Sequence, residues 1–167
     1  MQGGGRRFEP GILHSLFAPI VYLGGEMFQR ILVTTDGSEP ALRAVHLAGG
    51  MTKEQGATLF LLTVTSIPQS LVMATGLGDN VIQEYVDESS GEALRPALAA
   101  LKELGVDAEV RIEMGSAAEV ILDEATDLGA DLVVMGKRGM GEFKGLLLGS
   151  VSSRVAHHLT VPVMLVP

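Results

Sequence analysis

The chain contains no cysteine, which removes disulfides, thiolate-bound metals and thiol nucleophiles from the chemistry open to it. It is short of basic residues: 12 Lys and Arg against 20 Asp and Glu leave a formal net charge of -8. No basic face is available to displace counterions from a polynucleotide, so nucleic acid is not an expected partner. A local phosphate site built from backbone N–H groups stays open, because it needs little side-chain charge. No run of the sequence reaches the roughly 18 consecutive apolar residues that a membrane span requires, so no membrane partner is expected either. The four histidines, His14, His46, His157 and His158, lack metal-ligand spacing. His157 and His158 are adjacent, point in different directions on a helix, and read as a half-exposed helix end.

Several familiar strings are missing as well. There is no G-x-x-x-x-G-K-[ST] and no G-x-S-x-G; Gly139-x-Gly141 is followed by Gly145, one position late for the dinucleotide fingerprint. The carboxylates show no paired arrangement for glycoside chemistry.

What is present is a globular composition, 47% hydrophobic and 19% charged over 167 residues, enough for one domain with a sizeable core. Residues 1–26 carry two arginines and an apolar patch broken by Pro10, His14 and Pro19, with no clean small-residue cleavage site after it. They are expected to lie outside the folded domain, which is assigned to residues 27–167. An upstream translation artefact, an expression remnant and an arm that packs on a partner are the three readings for them.

From Phe28 the chain alternates strand-like and helix-like segments. RILVTTD ends at the turn cluster Asp36-Gly37-Ser38. Ser38 can cap a helix with Pro40 in its first turn, its apolar face running through Ala41, Ala44, Val45 and Ala48, and Gly49-Gly50 are placed to end it. TLFLLTVT is a second apolar strand, 66–80 is turn-rich, and a polar-faced helix follows from about Val81 to Leu104, with Pro96 expected to kink or divide it. DAEVRIEM (107–114) alternates strictly and predicts a strand with one wet face. Ser116-Ala-Ala-Glu119 reads as a capping box opening a helix that Gly129 terminates. DLVVMG is a third apolar strand, followed by a glycine loop, a helix from about Ser150 to His158 and a last strand, VPVMLVP.

This alternation predicts an α/β fold: one doubly wound five-stranded parallel sheet with helices on both faces. The three strands without a polar face belong in the interior, while the alternating strand and the Pro162 strand suit the edges. The order that follows is 3-2-1-4-5. Its switch point lies between strands 1 and 4, where ligands bind outside the C-terminal strand ends. The two loops emerging there are DGS (36–38) and 136–149.

In the second loop the pattern is Gly136-x2-Gly139-x9-Gly149-Ser150. Gly136 and Gly139 can take positive φ and let a ligand approach the backbone. Gly149-Ser150 opens a helix whose unpaired N–H groups and dipole favour an anion. The hydroxyls of Ser150 and Ser152 can add donors, and Lys137, Arg138 and Lys144 give local positive charge. A mobile loop before a serine-capped helix explains the same residues, and physics alone leaves the two readings open.

The pattern resembles the ATP-binding signature of the universal stress protein family, and the resemblance runs from about Phe28 to Pro167. ILVTTDGSEPALRAV is similar to that family's first strand and helix, and GSVSSRVAHHLTVPVMLVP to its C-terminal end. The resemblance implies ATP and Mg²⁺ as cofactors. It places Thr34 beside the adenine, Asp36 on the ribose or a divalent ion, and the Val64 backbone on the adenine edge. Met135, Gly136, Arg138 and Gly139 would wrap ribose and phosphate; Gly149, Ser150, Val151 and Ser152 would bind phosphates through N–H and hydroxyl groups. Lys137-Arg138 departs from the small polar residue or histidine common in that part of the loop. Plainer roles exist: Asp36 as a helix cap, Val64 as core, Ser152 facing solvent.

The function implied is a cytoplasmic, nucleotide-responsive regulator of stress response. It would form a homodimer through its C-terminal edge strand and act on a protein partner of unknown identity. No general base beyond Asp36 is evident, so at most slow ATP hydrolysis is expected. The alternatives are a true ATPase, a scaffold that binds no nucleotide, and a flavoprotein or ATP-pyrophosphatase relative with the same sheet order.

Overall fold

The computed structural model describes residues 27–68, 79–140 and 147–167. The expectations for residues 1–26, for most of the turn-rich stretch and for Lys144 fall outside the described residues. Among the described residues nine elements follow one another: β1 (Arg30–Thr34), α1 (Glu39–Gln55), β2 (Thr58–Thr65), α2 (Asp79–Leu104), β3 (Glu109–Met114), α3 (Ala117–Asp127), β4 (Leu132–Gly136), α4 (Ser150–His158) and β5 (Val163–Val166). The five strands form one sheet, all pairs parallel, in the order β3-β2-β1-β4-β5. The expected fold and strand order are both observed.

The continuous apolar strands are explained by two separate cores. Ile31, Val33, Leu59, Leu61, Leu132 and Val134 project to one face, against Ala44, Val45 and Ala48 of α1 and Leu94, Ala97 and Leu101 of α2. Leu32, Phe60, Leu62, Val133 and Met135 project to the other, against Ala118, Ile121 and Ala125 of α3 and Val155 of α4. A strand covered on both sides has no use for a polar alternation. Burying each such Leu, Ile or Val contributes about 1.5–3 kcal/mol before chain entropy is set against it.

Some local expectations are corrected. Gly49-Gly50 does not end α1, which runs on to Gln55 and stops at Gly56 in the left-handed conformation, φ 69°. Gly49 has a packing role instead: a Cβ there would meet Leu101 Cδ2 and Leu104 Cδ1 at 2.8 Å, so its absence lets α2 lie close against α1. Pro96 does not divide α2, which is one 26-residue helix; packing against the sheet holds it through the hydrogen bond that proline cannot make. Ser116 is the N-cap of α3, but its side chain makes no capping hydrogen bond, and Glu119 bonds Arg154 of α4 at 2.7 Å instead. The apolar row of β3 is not covered: Val110, Ile112 and Met114 are 41, 46 and 54% exposed, although their register partners lie on the α1/α2 side of the sheet. Being at the sheet edge counts for more than alternation here.

Candidate functional site

The C-terminal rim of the sheet opens where β1 and β4 part. Thr34 pairs Leu62 in register, and Met135 follows Val134, the partner of Val33, so the three side chains share one face of the sheet near its C-terminal end. They form the floor of a cavity of about 420 Å³ walled by Ala117 and Ile121 of α3 and by the first residues of α4. All eleven residues singled out in the sequence line it: Thr34, Asp36, Val64, Met135, Gly136, Arg138, Gly139, Gly149, Ser150, Val151 and Ser152. Both switch-point loops thus meet at one place, as the strand order requires.

The wall on the β2 side follows from the ladder. Leu62 C=O accepts from Thr35 N–H at 2.9 Å on the β1 side, whereas Thr65 C=O accepts from Gly115 N–H at 3.2 Å on the β3 side. Backbone groups of successive residues alternate sides, so those of Val64 face the β1 side. There β1 has already ended, and Gly37 N–H, which would continue the ladder, donates to Thr35 Oγ1 at 3.2 Å. The N–H and C=O of Val64, two residues beyond Leu62 at the last rung, are therefore turned toward the cavity and have no backbone partner among the described residues.

The opposite wall is the start of α4. Its first helical hydrogen bond is Ser153 N–H to Gly149 C=O, 2.9 Å. The N–H groups of Ser150, Val151 and Ser152 precede it and have no hydrogen-bond partner among the described residues, which gives the cavity the positive end of a helix. Ser150 is exposed and its hydroxyl is free to turn inward. Ser152 is not solvent-facing; it is 2% exposed, and its hydroxyl donates to Lys137 C=O at 2.7 Å. What Ser152 has left to offer a ligand is its N–H.

Asp36 joins the two loops. Its Oδ1 accepts from Ser38 N–H at 3.0 Å and its Oδ2 from Met140 N–H at 3.1 Å. Two backbone donors orient the carboxylate, and lone pairs remain for a hydroxyl or a cation. Ser38 itself caps α1, accepting from Ala41 N–H at 3.4 Å, so the capping role stays with Ser38 as read from the sequence. No group of three or more His, Asp or Glu residues that could hold a metal ion occurs among the described residues. Among the described residues a divalent cation here would meet one carboxylate, Asp36, an arrangement that suits Mg²⁺ carried in on a ligand's phosphates.

The glycines act through space, not through φ. Neither Gly136 nor Gly139 has positive φ. A Cβ at Gly136 would come within 2.8 Å of Ala41 N, on a backbone that cannot yield, and one at Gly139 would overlap Asp36 Oδ2. The spacing Gly136-x2-Gly139 is therefore the footprint of α1 and of Asp36 upon the loop. Gly149 is less crowded: a Cβ would find Arg138 Cα at 3.4 Å and Ser152 Oγ at 3.5 Å.

Thr35, Ala41, Leu62, Ala117, Ile121, Met140 and Leu148 also line the cavity and were not expected there. Leu62 was within reach of sequence reasoning, since it precedes Val64 by two in the same strand and must share its face. Ala117 and Ile121 sit on α3 at helical spacing and look the same as core positions in the sequence.

The universal stress protein family model matches residues 27–167. Universal stress protein YxiE of Bacillus subtilis is 34% identical over 149 residues, covering 84% of this chain and 99% of YxiE. Among solved structures, the protein MJ0577 superposes with a TM-score of 0.72 at 26% identity, covering 84% of this chain and 96% of MJ0577. A universal stress protein solved in complex with cAMP superposes with a TM-score of 0.65 at 30% identity, covering 84% of this chain and 97% of that one. The chain belongs to the universal stress protein family.

Proposed function

We propose that the cavity binds an adenine nucleotide, ATP with Mg²⁺, and that the protein is a nucleotide-responsive regulator. One arrangement carries this reading: across a single cavity, the Val64 rung faces the N–H groups that open α4, neither with a partner among the described residues, and the Asp36 carboxylate lies beside them. Adenine presents an acceptor at N1 and a donor at its amino group. Val64 N–H and C=O match that edge, while guanine presents the reverse. Thr34, Met135 and Ile121 give the base an apolar slot, Asp36 can take a ribose hydroxyl or Mg²⁺, and Ser150 to Ser152 supply N–H groups for phosphate. The relative solved with cAMP supports an adenine ligand in this fold.

Slow hydrolysis at most is proposed. The N–H groups of α4 stabilise phosphate charge in the ground state as well as in the transition state, which gives little rate gain. Asp36, the one carboxylate among the described residues that line the cavity, already accepts two N–H bonds. We propose a cytoplasmic regulator that acts as a homodimer pairing through β5; the half-buried Val163, Met164 and Leu165 at the sheet edge support such pairing.

The test is nucleotide released on denaturing the purified protein, identified by mass spectrometry, followed by titration calorimetry. ATP is expected to bind at least about tenfold more tightly than GTP, since the mismatched edge leaves two unpaired polar groups. Asp36→Ala is expected to weaken ATP binding, and more so with Mg²⁺ present. Protein that carries no nucleotide and gives no heat with millimolar ATP or cAMP would overturn the proposal.

A further inference from the structure

The phosphate end of the cavity has a serine that is turned away from it. Ser152 is the third residue of α4, where a hydroxyl is one turn from any anion held at the helix start. Yet it is 2% exposed, and two acceptors inside the fold compete for its single proton: Lys137 C=O at 2.7 Å and Gly149 C=O at 3.1 Å. A phosphate oxygen would have to draw the hydroxyl from a short, buried hydrogen bond and leave a carbonyl less satisfied.

Lys137 C=O is the point on which the loop closes. It accepts from Ser152 Oγ and also from Gly149 N–H at 2.8 Å, while Lys137 N–H donates to Val166 C=O at 2.7 Å. One residue, Lys137, thus ties the end of β5 to the start of the glycine loop through its N–H, and the N-cap and third residue of α4 to the same point through its C=O. The two ends of the loop are brought together, and the axis of α4 is set against the sheet, before any ligand arrives.

We infer that Ser152 is a positioning residue of the nucleotide site: its hydroxyl fixes the start of α4 on Lys137, so that the N–H groups of Ser150 to Ser152 are aimed in advance at the phosphates. Its effect on affinity rests on the reading of the cavity as a nucleotide site; its effect on the loop does not. Pre-orientation matters because a ligand that had to draw these ends together itself would spend binding energy on loop closure.

The experiment compares Ser152→Ala, Ser152→Thr and Ser150→Ala by amide hydrogen exchange of the ligand-free protein and by calorimetric titration with ATP. Ser152→Ala is expected to speed exchange at Gly149 and Ser153 about fivefold and to raise the ATP Kd about fivefold, one hydrogen bond's worth in each case. Exchange at Leu61 in the sheet centre stays unchanged and reports that the fold is intact. Ser152→Thr, which keeps the hydroxyl, returns both readouts toward the parent values. Ser150→Ala weakens ATP without altering ligand-free exchange, as a direct contact should. If Ser152→Ala weakens ATP while ligand-free exchange at Gly149 stays at the parent rate, Ser152 is a phosphate ligand and the inference is overturned. If exchange at Gly149 does not change and ATP affinity does not either, it is overturned too. Faster exchange in a protein that binds no ATP would uphold the closure of the loop on Ser152 while removing the nucleotide reading.

Discussion

At the N-terminal rim of the sheet, side chains take up the backbone groups that the strands leave over. Asp131 accepts from Gln29 N–H at 2.8 Å and from Arg30 N–H at 3.1 Å, and Arg30 Nε donates to Leu128 C=O at 2.6 Å with its guanidinium 4.9 Å above the Phe60 ring. Lys53 closes the end of α2 by donating to Leu104 C=O at 2.8 Å. At the C-terminal rim the Val64 pair and the first N–H groups of α4 have no partner among the described residues and border a cavity, with Asp36 beside them. The difference teaches where each rim's polar residues act. Residues at the first complete hydrogen bonds and hold the fold. Those at the second hold backbone groups apart around the cavity, where the proposed nucleotide would complete them.

Substitutions that should affect one rim and spare the other probe that division. The largest effect is expected from Gly139→Val. Its Cβ takes the space of Asp36 Oδ2, so the carboxylate must swing away from Met140 N–H and from the ligand. ATP affinity should fall at least about 100-fold, or about 2.7 kcal/mol, by calorimetry. The melting temperature should move by only about 2 °C, because Gly139 lies on an exposed loop. A Kd within threefold of the parent would mean that Asp36 and the loop do not act together. Asp131→Ala is the counterpart on the closed rim. Two N–H groups lose a charged acceptor at a half-exposed site, a loss of about 1–2 kcal/mol that should lower the melting temperature roughly 3–6 °C. ATP affinity should remain within twofold; a large change would show the two rims to be coupled through β1 and β4.

The closed rim and the open rim were not equally legible in the sequence. Strand order, and with it the meeting of Asp36 with the glycine loop, followed from three apolar strands and two weaker ones, because burial on both faces removes alternation. The cavity's loop residues were legible because glycines and serines in that pattern are unusual. Ala117 and Ile121 were not, since a helix face turned to a cavity and one turned to a core carry the same side chains. The Arg30–Asp131 clamp was also hidden: its partners are about 100 residues apart, and charged residues at strand ends are ordinary. The glycine pattern pointed to residues that line one cavity, but for a reason the structure does not bear out. Positive φ was expected at Gly136 and Gly139, while the structure uses them for the close approach of Ala41 and Asp36. Close approach between distant segments is a tertiary fact, and a one-dimensional reading supplies only the residue that allows it.

The smallest effect is expected where sequence reasoning put a helix cap and the structure puts an ion pair. Glu119 reads as the third-position carboxylate of a capping box, but it pairs with Arg154 across the α3–α4 gap at 2.7 Å, both side chains exposed. An exposed pair contributes about 0.5 kcal/mol after the ordering of two long side chains and salt screening. A capping carboxylate that met a backbone N–H would contribute about 1 kcal/mol in a way that is independent of Arg154. The two roles separate in a double-mutant cycle of Glu119→Ala and Arg154→Ala measured by chemical denaturation. Each single substitution should cost about 0.5 kcal/mol, the pair together little more than one alone, and the coupling should fade in molar salt. ATP affinity should not change in any of the three, because α3 and α4 are set against the sheet by Ile121, Ala125 and Val155 in the core beneath. Additive losses, unchanged by salt, would return Glu119 to the capping role.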